Sequence, residues 1–97
     1  MKAIFISFNQ ALKEDIISAL DRNFVRGYTF WPELHGRGSE TGEPHYGSHA
    51  WPVLNSALIA VSEDEKISKL MEDIRKLDKL YPNQGLRAFI WAVEEGM

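Results

Sequence analysis

The predicted strands of this chain are apolar on both faces, and this feature constrains the fold more than any other. In the predicted last strand, residues 86–93, small and aliphatic side chains alternate with large apolar ones such as Phe89 and Trp91. Residues 2–8 and 53–61 show the same two-sided pattern. A sheet with one wet face would instead alternate apolar with polar residues. The chain therefore has to cover both faces of its sheet.

The order of the predicted elements indicates how one face is covered. Strand signals lie at residues 2–8, 24–34, 53–61 and 86–93, and helical periodicity fills residues 9–23 and 62–81. This β-α-β-β-α-β order predicts an α+β fold, a ferredoxin-like sandwich with both helices on one side of a four-stranded antiparallel sheet. Pro32 cannot donate to a strand ladder, so we expect an edge position or a frayed strand end there.

Both helices have capping signals at their starts. Asn9 can accept a hydrogen bond from a free backbone N–H of the first helix. The tetrapeptide Ser62-Glu63-Asp64-Glu65 predicts a capping box, in which the Ser62 hydroxyl and the Glu65 carboxylate each accept from the other residue's N–H. Pro82 is predicted to stop the second helix.

The length of 97 residues fits one domain, 1–97, with a long loop at residues 35–52. Two helices cover one face of the sheet, so the other face is expected to pack on copies of the same chain. An open apolar patch of this size would be a liability on a monomer. The alternative is a monomer whose loop folds back over the sheet, but this loop is too polar to make a good lid.

Charge and composition narrow the range of partners and compartments. The formal net charge is −3 and no run of Lys and Arg occurs, so nucleic acid is not an expected partner. The chain has no cysteine, which excludes disulfides and thiolate chemistry and fits the cytoplasm. Met1 is followed directly by a strand-like run, so we expect no targeting leader, and no apolar run is long enough to cross a bilayer.

The loop at residues 35–52 contains four of the seven glycines, two of the four prolines and all three histidines. Structureless stretches of this length are usually functional or disordered. Gly36, Arg37 and Gly38 can turn backbone N–H groups and a guanidinium toward an anion such as phosphate or carboxylate, although a solvated loop tip explains them equally. Arg87, in the apolar last strand, either holds an anion or pairs with an acid across a subunit boundary.

Metal binding is the second chemistry that the loop offers. His45 and His49 are four residues apart, and His35 or Glu43 can join them. Neutral imidazoles suit a divalent transition metal such as Zn, Cu or Ni. A metal site would therefore use His35, His45 and His49. The alternative is that a polar, glycine-rich loop simply carries histidines without a fixed geometry.

An enzyme is the third class considered. The sequence contains no Gly-x-Ser-x-Gly elbow and no phosphate loop with Lys. A His45/Glu43 acid–base pair would support a small ferredoxin-like enzyme, but only proximity in sequence links these residues. We therefore expect no catalysis.

Several segments together resemble the nitrogen-regulatory PII signalling proteins and their PII-like relatives. They are Met1-Lys2-x-Ile4, Leu12…Asp15-Ile16…Ala19-Leu20, Gly27-x-Thr29, Gly36-Arg37-Gly38…Gly42 and Glu63-Asp64-Glu65-Lys66-Ile67…Ile74. The resemblance implies a ferredoxin-like homotrimer with its sheets turned inward and small ligands, often adenine nucleotides, in clefts between subunits. The ligand would lie near Arg37 and Arg87.

The resemblance also implies a protein partner. The family's T-loop would be residues 35–52, and Glu40, Thr41, Glu43 and Tyr46 would contact a membrane transporter or a regulatory protein. The chain departs from the family between the second helix and the last strand, where a Gly-rich segment that holds nucleotide phosphates is reduced to residues 82–85. The related CutA proteins, trimers linked to divalent metals, give the metal-binding alternative.

Overall fold

A computed structural model of the chain describes residues 1–35 and 54–97. The elements are β1 (Lys2–Asn9), a short 3-10 helix (Gln10–Leu12), α1 (Lys13–Arg22), β2 (Tyr28–Leu34), β3 (Asn55–Ser62), α2 (Asp64–Leu80) and β4 (Arg87–Ala92). The predicted β-α-β-β-α-β order is confirmed.

The four strands form one sheet in the order β2-β3-β1-β4. All three pairings are antiparallel, and Phe5 in the middle of β1 lies opposite Ile59 of β3 and Phe89 of β4. Each crossover helix passes over a strand that its own β-α-β unit does not contain, which is the split arrangement. The predicted ferredoxin-like sandwich is therefore the observed fold.

The core lies between the two helices and one face of the sheet. Its buried members alternate along the strands and recur every three or four residues along the helices: Ile4, Ile6, Phe8, Leu58 and Ala60 from the sheet, and Ile16, Leu20, Ile67, Leu70 and Ile74 from the helices. Burial of each large aliphatic side chain stabilises the fold by about 1.5–3 kcal/mol. Phe30 packs at the margin of this core, stacked on Phe8 at 6.3 Å between ring centroids, with the Lys13 ammonium 5.2 Å from its ring centroid.

One of the two capping predictions is confirmed and the other is wrong. The Asn9 side chain accepts from the Ala11 N–H at 2.9 Å and caps the 3-10 helix that leads into α1. The predicted capping box at Ser62 does not form, because Ser62 is still a ladder residue of β3, opposite Lys2. Glu63 is the N-cap of α2 instead, and no side chain caps that position.

The C-terminal cap of α1 extends to Val25, so the second strand starts later in the sequence than predicted. Phe24 adopts a left-handed backbone, with φ 58°, and its N–H donates to the Asp21 carbonyl at 3.1 Å. The Val25 N–H donates to the Leu20 carbonyl at 2.9 Å, which completes a Schellman motif. β2 therefore begins at Tyr28 and not at residue 24 as the pattern predicted.

The second strand is one edge of the sheet, as Pro32 predicted. Its register with β3 shifts between Trp31 and Leu34, at the proline. The Pro32 carbonyl accepts from the Ser56 hydroxyl at 2.7 Å, which fixes the shifted segment. In the part of the chain that the structure describes, neither helix is long and apolar enough to cross a membrane.

Candidate functional site

The sheet face away from the helices, called the open face below, carries two apolar rows. Strand register places Trp91, Ala3 and Val61 side by side in one row, and Phe89, Phe5 and Ile59 in the next. Phe89 is 59% exposed and Trp91 46% exposed, both on the edge strand β4 beside the central strand β1. The two-sided pattern predicted from the sequence is therefore confirmed, and these rows leave large apolar side chains uncovered.

The character of the open face changes at the next row along the strands. Ser7 of β1 lies opposite Arg87 of β4, and two residues further on Asn9 lies opposite Asn55. The Asn55 side-chain amide donates to the Ser7 hydroxyl at 2.9 Å. We call Ser7, Asn9, Asn55 and Arg87 the polar row. Buried polar groups are retained where their hydrogen bonds are satisfied, and this row meets that condition at Asn9 and Asn55.

Asn9 connects the polar row to the turn before β4. Its Nδ2 donates to the Gln84 Oε1, while its Oδ1 caps the 3-10 helix. The neighbouring Gly85 has φ 71°, a conformation that favours glycine and lets this turn deliver the chain into β4. The Gln10 N–H donates to the Leu54 carbonyl at 2.9 Å. The polar row is thus tied to the point where the chain returns from residues 36–53.

Arg87 is the predicted ligand residue that the structure describes. It opens β4, is exposed, and its Nη1 donates to the Leu86 carbonyl at 2.7 Å. Among residues 1–35 and 54–97 it has no carboxylate within ion-pair distance. Within the described part of the chain most of its guanidinium donors are therefore available, and a forked guanidinium matches carboxylate and phosphate oxygens.

Most of the other predicted site residues lie outside the described residues. These are the anion-binding residues Gly36, Arg37 and Gly38, the partner-binding residues Glu40, Thr41, Glu43 and Tyr46, and the metal ligands His45 and His49. His35 directly follows β2 and is exposed. No group of three or more His, Cys, Asp or Glu side chains that could hold a metal occurs within residues 1–35 and 54–97.

Sequence reasoning missed three members of this site. Ser7 and Asn55 were predicted only as strand residues, and Gln84 only as part of a turn. The signal that could have found Ser7 and Asn55 is a polar side chain at a strand position whose neighbours two residues away are apolar, as Ser7 is beside Phe5. Gln84 lies in a turn and gives no such signal. Only the register of β1 with β3 and β4 shows that Ser7 lies beside Arg87 and that Asn9 lies beside Asn55 in the next row.

The fold and the open face define the class of protein. It is a ferredoxin-like domain whose open face changes from apolar rows to a polar row that contains Arg87. The chain belongs to the family of the nitrogen regulatory protein P-II, whose family model matches residues 1–96. The resemblance predicted from the sequence is thereby confirmed. No curated protein sequence matches the chain.

Solved structures of the PII-like protein CPII from Thiomonas intermedia K12 are similar to this chain. A structure bound to ADP and bicarbonate is 26% identical, with a TM-score of 0.73, over 93% of this chain and 82% of that one. Another, bound to ADP, AMP and bicarbonate, is 25% identical, with a TM-score of 0.72 and the same coverage. A third, bound to ADP, AMP and acetate, is 24% identical over 99% of this chain and 88% of that one, with a TM-score of 0.75.

Proposed function

We propose that this chain is a cytoplasmic PII-like regulatory module. It assembles as a homotrimer through the apolar rows of the open face and binds a small anionic ligand of the adenine nucleotide class in clefts between subunits. The observation that carries the proposal is the change along one sheet face from exposed apolar rows to the polar row, whose Arg87 has no ion-pair partner among the described residues.

The apolar rows support assembly on physical grounds. Phe89 and Trp91 are about half exposed, and Val61 completes the row of Trp91. Burying a large apolar side chain is worth about 1.5–3 kcal/mol, so covering these three on every subunit gives a substantial driving force. Because both helices already cover the other face, only another chain or residues 36–53 can cover this one. The family resemblance favours the trimer.

The ligand proposal rests on Arg87 and on the relatives. CPII structures contain ADP, AMP and bicarbonate, which are all anions. Charge-assisted hydrogen bonds from arginine to phosphate or carboxylate are roughly twice as strong as neutral ones. Arg87 lies in the polar row, where apolar assembly surface ends, so a cleft beside it is suited to an anion. Gly36, Arg37 and Gly38 remain the predicted second side of this cleft.

A partner contact through residues 35–52 also remains part of the proposal. Glu40, Thr41, Glu43 and Tyr46 are the residues that we expect to contact a transporter or a regulatory protein. The bond from the Gln10 N–H to the Leu54 carbonyl supports a link between ligand and loop. Gln10 follows Asn9 of the polar row, and Leu54 lies close to one end of the loop.

Calorimetry and sedimentation test the proposal together. Purified protein should sediment as a trimer at micromolar concentration and release heat with ADP, AMP or ATP. Arg87→Gln should weaken nucleotide binding at least tenfold, because a charge-assisted bond is lost. Arg26→Gln is the matched control, since Arg26 is an exposed arginine that lies outside the polar row.

Two results would contradict the proposal. Sedimentation of single subunits would remove the assembly, and an absence of heat with every nucleotide would remove the ligand. Titration with Zn, Cu and Ni in the same buffer tests the metal alternative. If these ions bind with micromolar affinity while nucleotides do not, and if replacing His35, His45 and His49 by alanine abolishes that binding, the chain is a metal-binding trimer instead.

A further inference from the structure

A groove of about 230 Å³ lies between α2 and β4. Its apolar lining comes from Met71 and Ile74 of α2, from Leu86 just before β4, and from Ala88 on the core side of β4. Pockets for drug-sized ligands measure about 300–1,000 Å³, so this groove fits a smaller molecule. The apolar lining requires that part of that molecule be apolar.

Three charged side chains complete the lining. Arg75 and Asp78 lie on α2, one helical turn apart. Arg87 opens β4, which is an edge strand, so it borders the groove although the register places it on the open face. Residues three apart on a helix are close neighbours on one face. The groove therefore presents two cations and one anion around an apolar lining.

The charges in the groove differ from those on the rest of α2. Elsewhere on this helix three ion pairs close across one turn: Lys66 with Glu63 at 3.9 Å, Lys69 with Glu65 at 3.2 Å, and Lys76 with Asp73 at 3.9 Å. Arg75 and Asp78 are three residues apart, as in two of these pairs, yet neither forms an ion pair with any residue in 1–35 or 54–97. The groove therefore holds two opposite charges, one helical turn apart, that have no ion-pair partner among the described residues.

We propose that this groove binds an apolar α-amino acid. The carboxylate of the amino acid pairs with Arg75 and Arg87, the ammonium group pairs with Asp78, and the side chain lies against Met71 and Leu86. This site is additional to the proposed nucleotide cleft. It shares Arg87 with that cleft, but Arg75, Asp78 and the apolar lining belong to the groove alone.

An amino acid is a zwitterion, and it offers a partner to every charged side chain of the groove, which simpler ligands do not. A plain carboxylic acid brings a second negative charge close to Asp78 and gives Asp78 no cation to pair with. A plain amine leaves Arg75 and Arg87 without an anion. Leucine, isoleucine and methionine offer both charges on one carbon and a side chain short enough for the groove.

Calorimetry with leucine and its two fragments tests the proposal. The fragments are 4-methylpentanoate, which lacks the ammonium group, and 3-methylbutylamine, which lacks the carboxylate. Wild-type protein should bind leucine at least tenfold more tightly than either fragment. Asp78→Asn should weaken leucine at least tenfold and change 4-methylpentanoate less than threefold, whereas Arg75→Gln should weaken both at least tenfold.

Glu72→Gln and Lys79→Gln are the matched controls, because both residues are exposed on α2 and lie outside the groove. Circular dichroism should show the same helix content in all variants. The proposal is overturned if no apolar amino acid binds at millimolar concentration, or if Asp78→Asn leaves leucine affinity unchanged. ADP binding should survive Asp78→Asn. If leucine binds and ADP does not, the proposed nucleotide binding is rejected and the amino acid site stands. If ADP binds and leucine does not, the amino acid site is rejected and the proposed nucleotide binding stands.

Discussion

Replacing Phe24 by glycine is expected to raise the free energy of unfolding, because Phe24 occupies a left-handed position that a side chain disfavours. The backbone has φ 58° there, at the residue that follows the C-cap of α1. Glycine is the usual residue at this point of a Schellman motif. Neither hydrogen bond of the motif uses the Phe24 side chain, which is 62% exposed.

The size of the effect follows from three contributions. A residue with a Cβ loses about 1–2 kcal/mol in the left-handed conformation. Glycine loses about 0.5–1 kcal/mol more conformational entropy on folding, which offsets part of the gain. Alanine keeps the Cβ and removes the ring, so Phe24→Ala isolates the small contribution of partial burial. With the middle of each range, we expect Phe24→Gly to exceed Phe24→Ala in stability by about 0.5–1 kcal/mol.

Urea denaturation of the two variants and the parent protein at one fixed protein concentration measures this difference. The concentration must be fixed because assembly adds to apparent stability. A gain of 0.5–1 kcal/mol corresponds to a rise in Tm of about 2–8 °C for a domain of this size. If Phe24→Ala is as stable as Phe24→Gly, the left-handed backbone is not the source of the strain and the reasoning fails.

Three further substitutions test other parts of the fold. Phe89→Ser should raise the dissociation constant of the assembly at least tenfold in sedimentation velocity, whereas Phe24→Gly, which removes an exposed Phe outside the open face, should leave it unchanged. Asn9→Ala removes the cap of the 3-10 helix and the bond to Gln84, so it should lower the free energy of unfolding in urea by about 1–2 kcal/mol. Asn9→Asp keeps the cap and should therefore recover part of this loss. The Asp73 carboxylate accepts a hydrogen bond from the Asn23 amide at 2.7 Å, beside the packing of α1 on α2. Asp73→Ala should lower the free energy of unfolding by about 1–2 kcal/mol in the same assay. An unchanged free energy of unfolding would show that this bond contributes nothing.

The fold was predictable because its signals are local and agree with one another. Alternation in residues 2–8 and 86–93 predicted strands, and the apolar stripe from Ile67 to Leu77 predicted α2. Errors occurred where one element ends and the next begins. The serine of the predicted capping box is still paired in β3, which no local pattern shows.

The candidate site was less predictable because it depends on register. Ser7 and Arg87 are eighty positions apart in sequence and become neighbours only when β1 pairs with β4. Asn55 is a good turn residue by composition, yet its amide bonds to the Ser7 hydroxyl across two strands. Arg87 could be predicted, because a lone arginine in an apolar strand demands a partner. The hydrogen bond between Asn9 and Gln84 could not be predicted, because residues of both types are also common in turns.

The proposed assembly surface and the proposed ligand cleft adjoin each other, because the same strands carry both. Phe5 and Ser7 are adjacent on the open face of β1, and Phe89 and Arg87 are adjacent on the open face of β4. A subunit that covers the apolar rows therefore ends next to the polar row, where the proposed cleft begins. Arg87→Gln should then weaken the nucleotide without dissociating the trimer, whereas Phe89→Ser should weaken both. A Phe89→Ser monomer with full nucleotide affinity would show that the ligand needs only one chain.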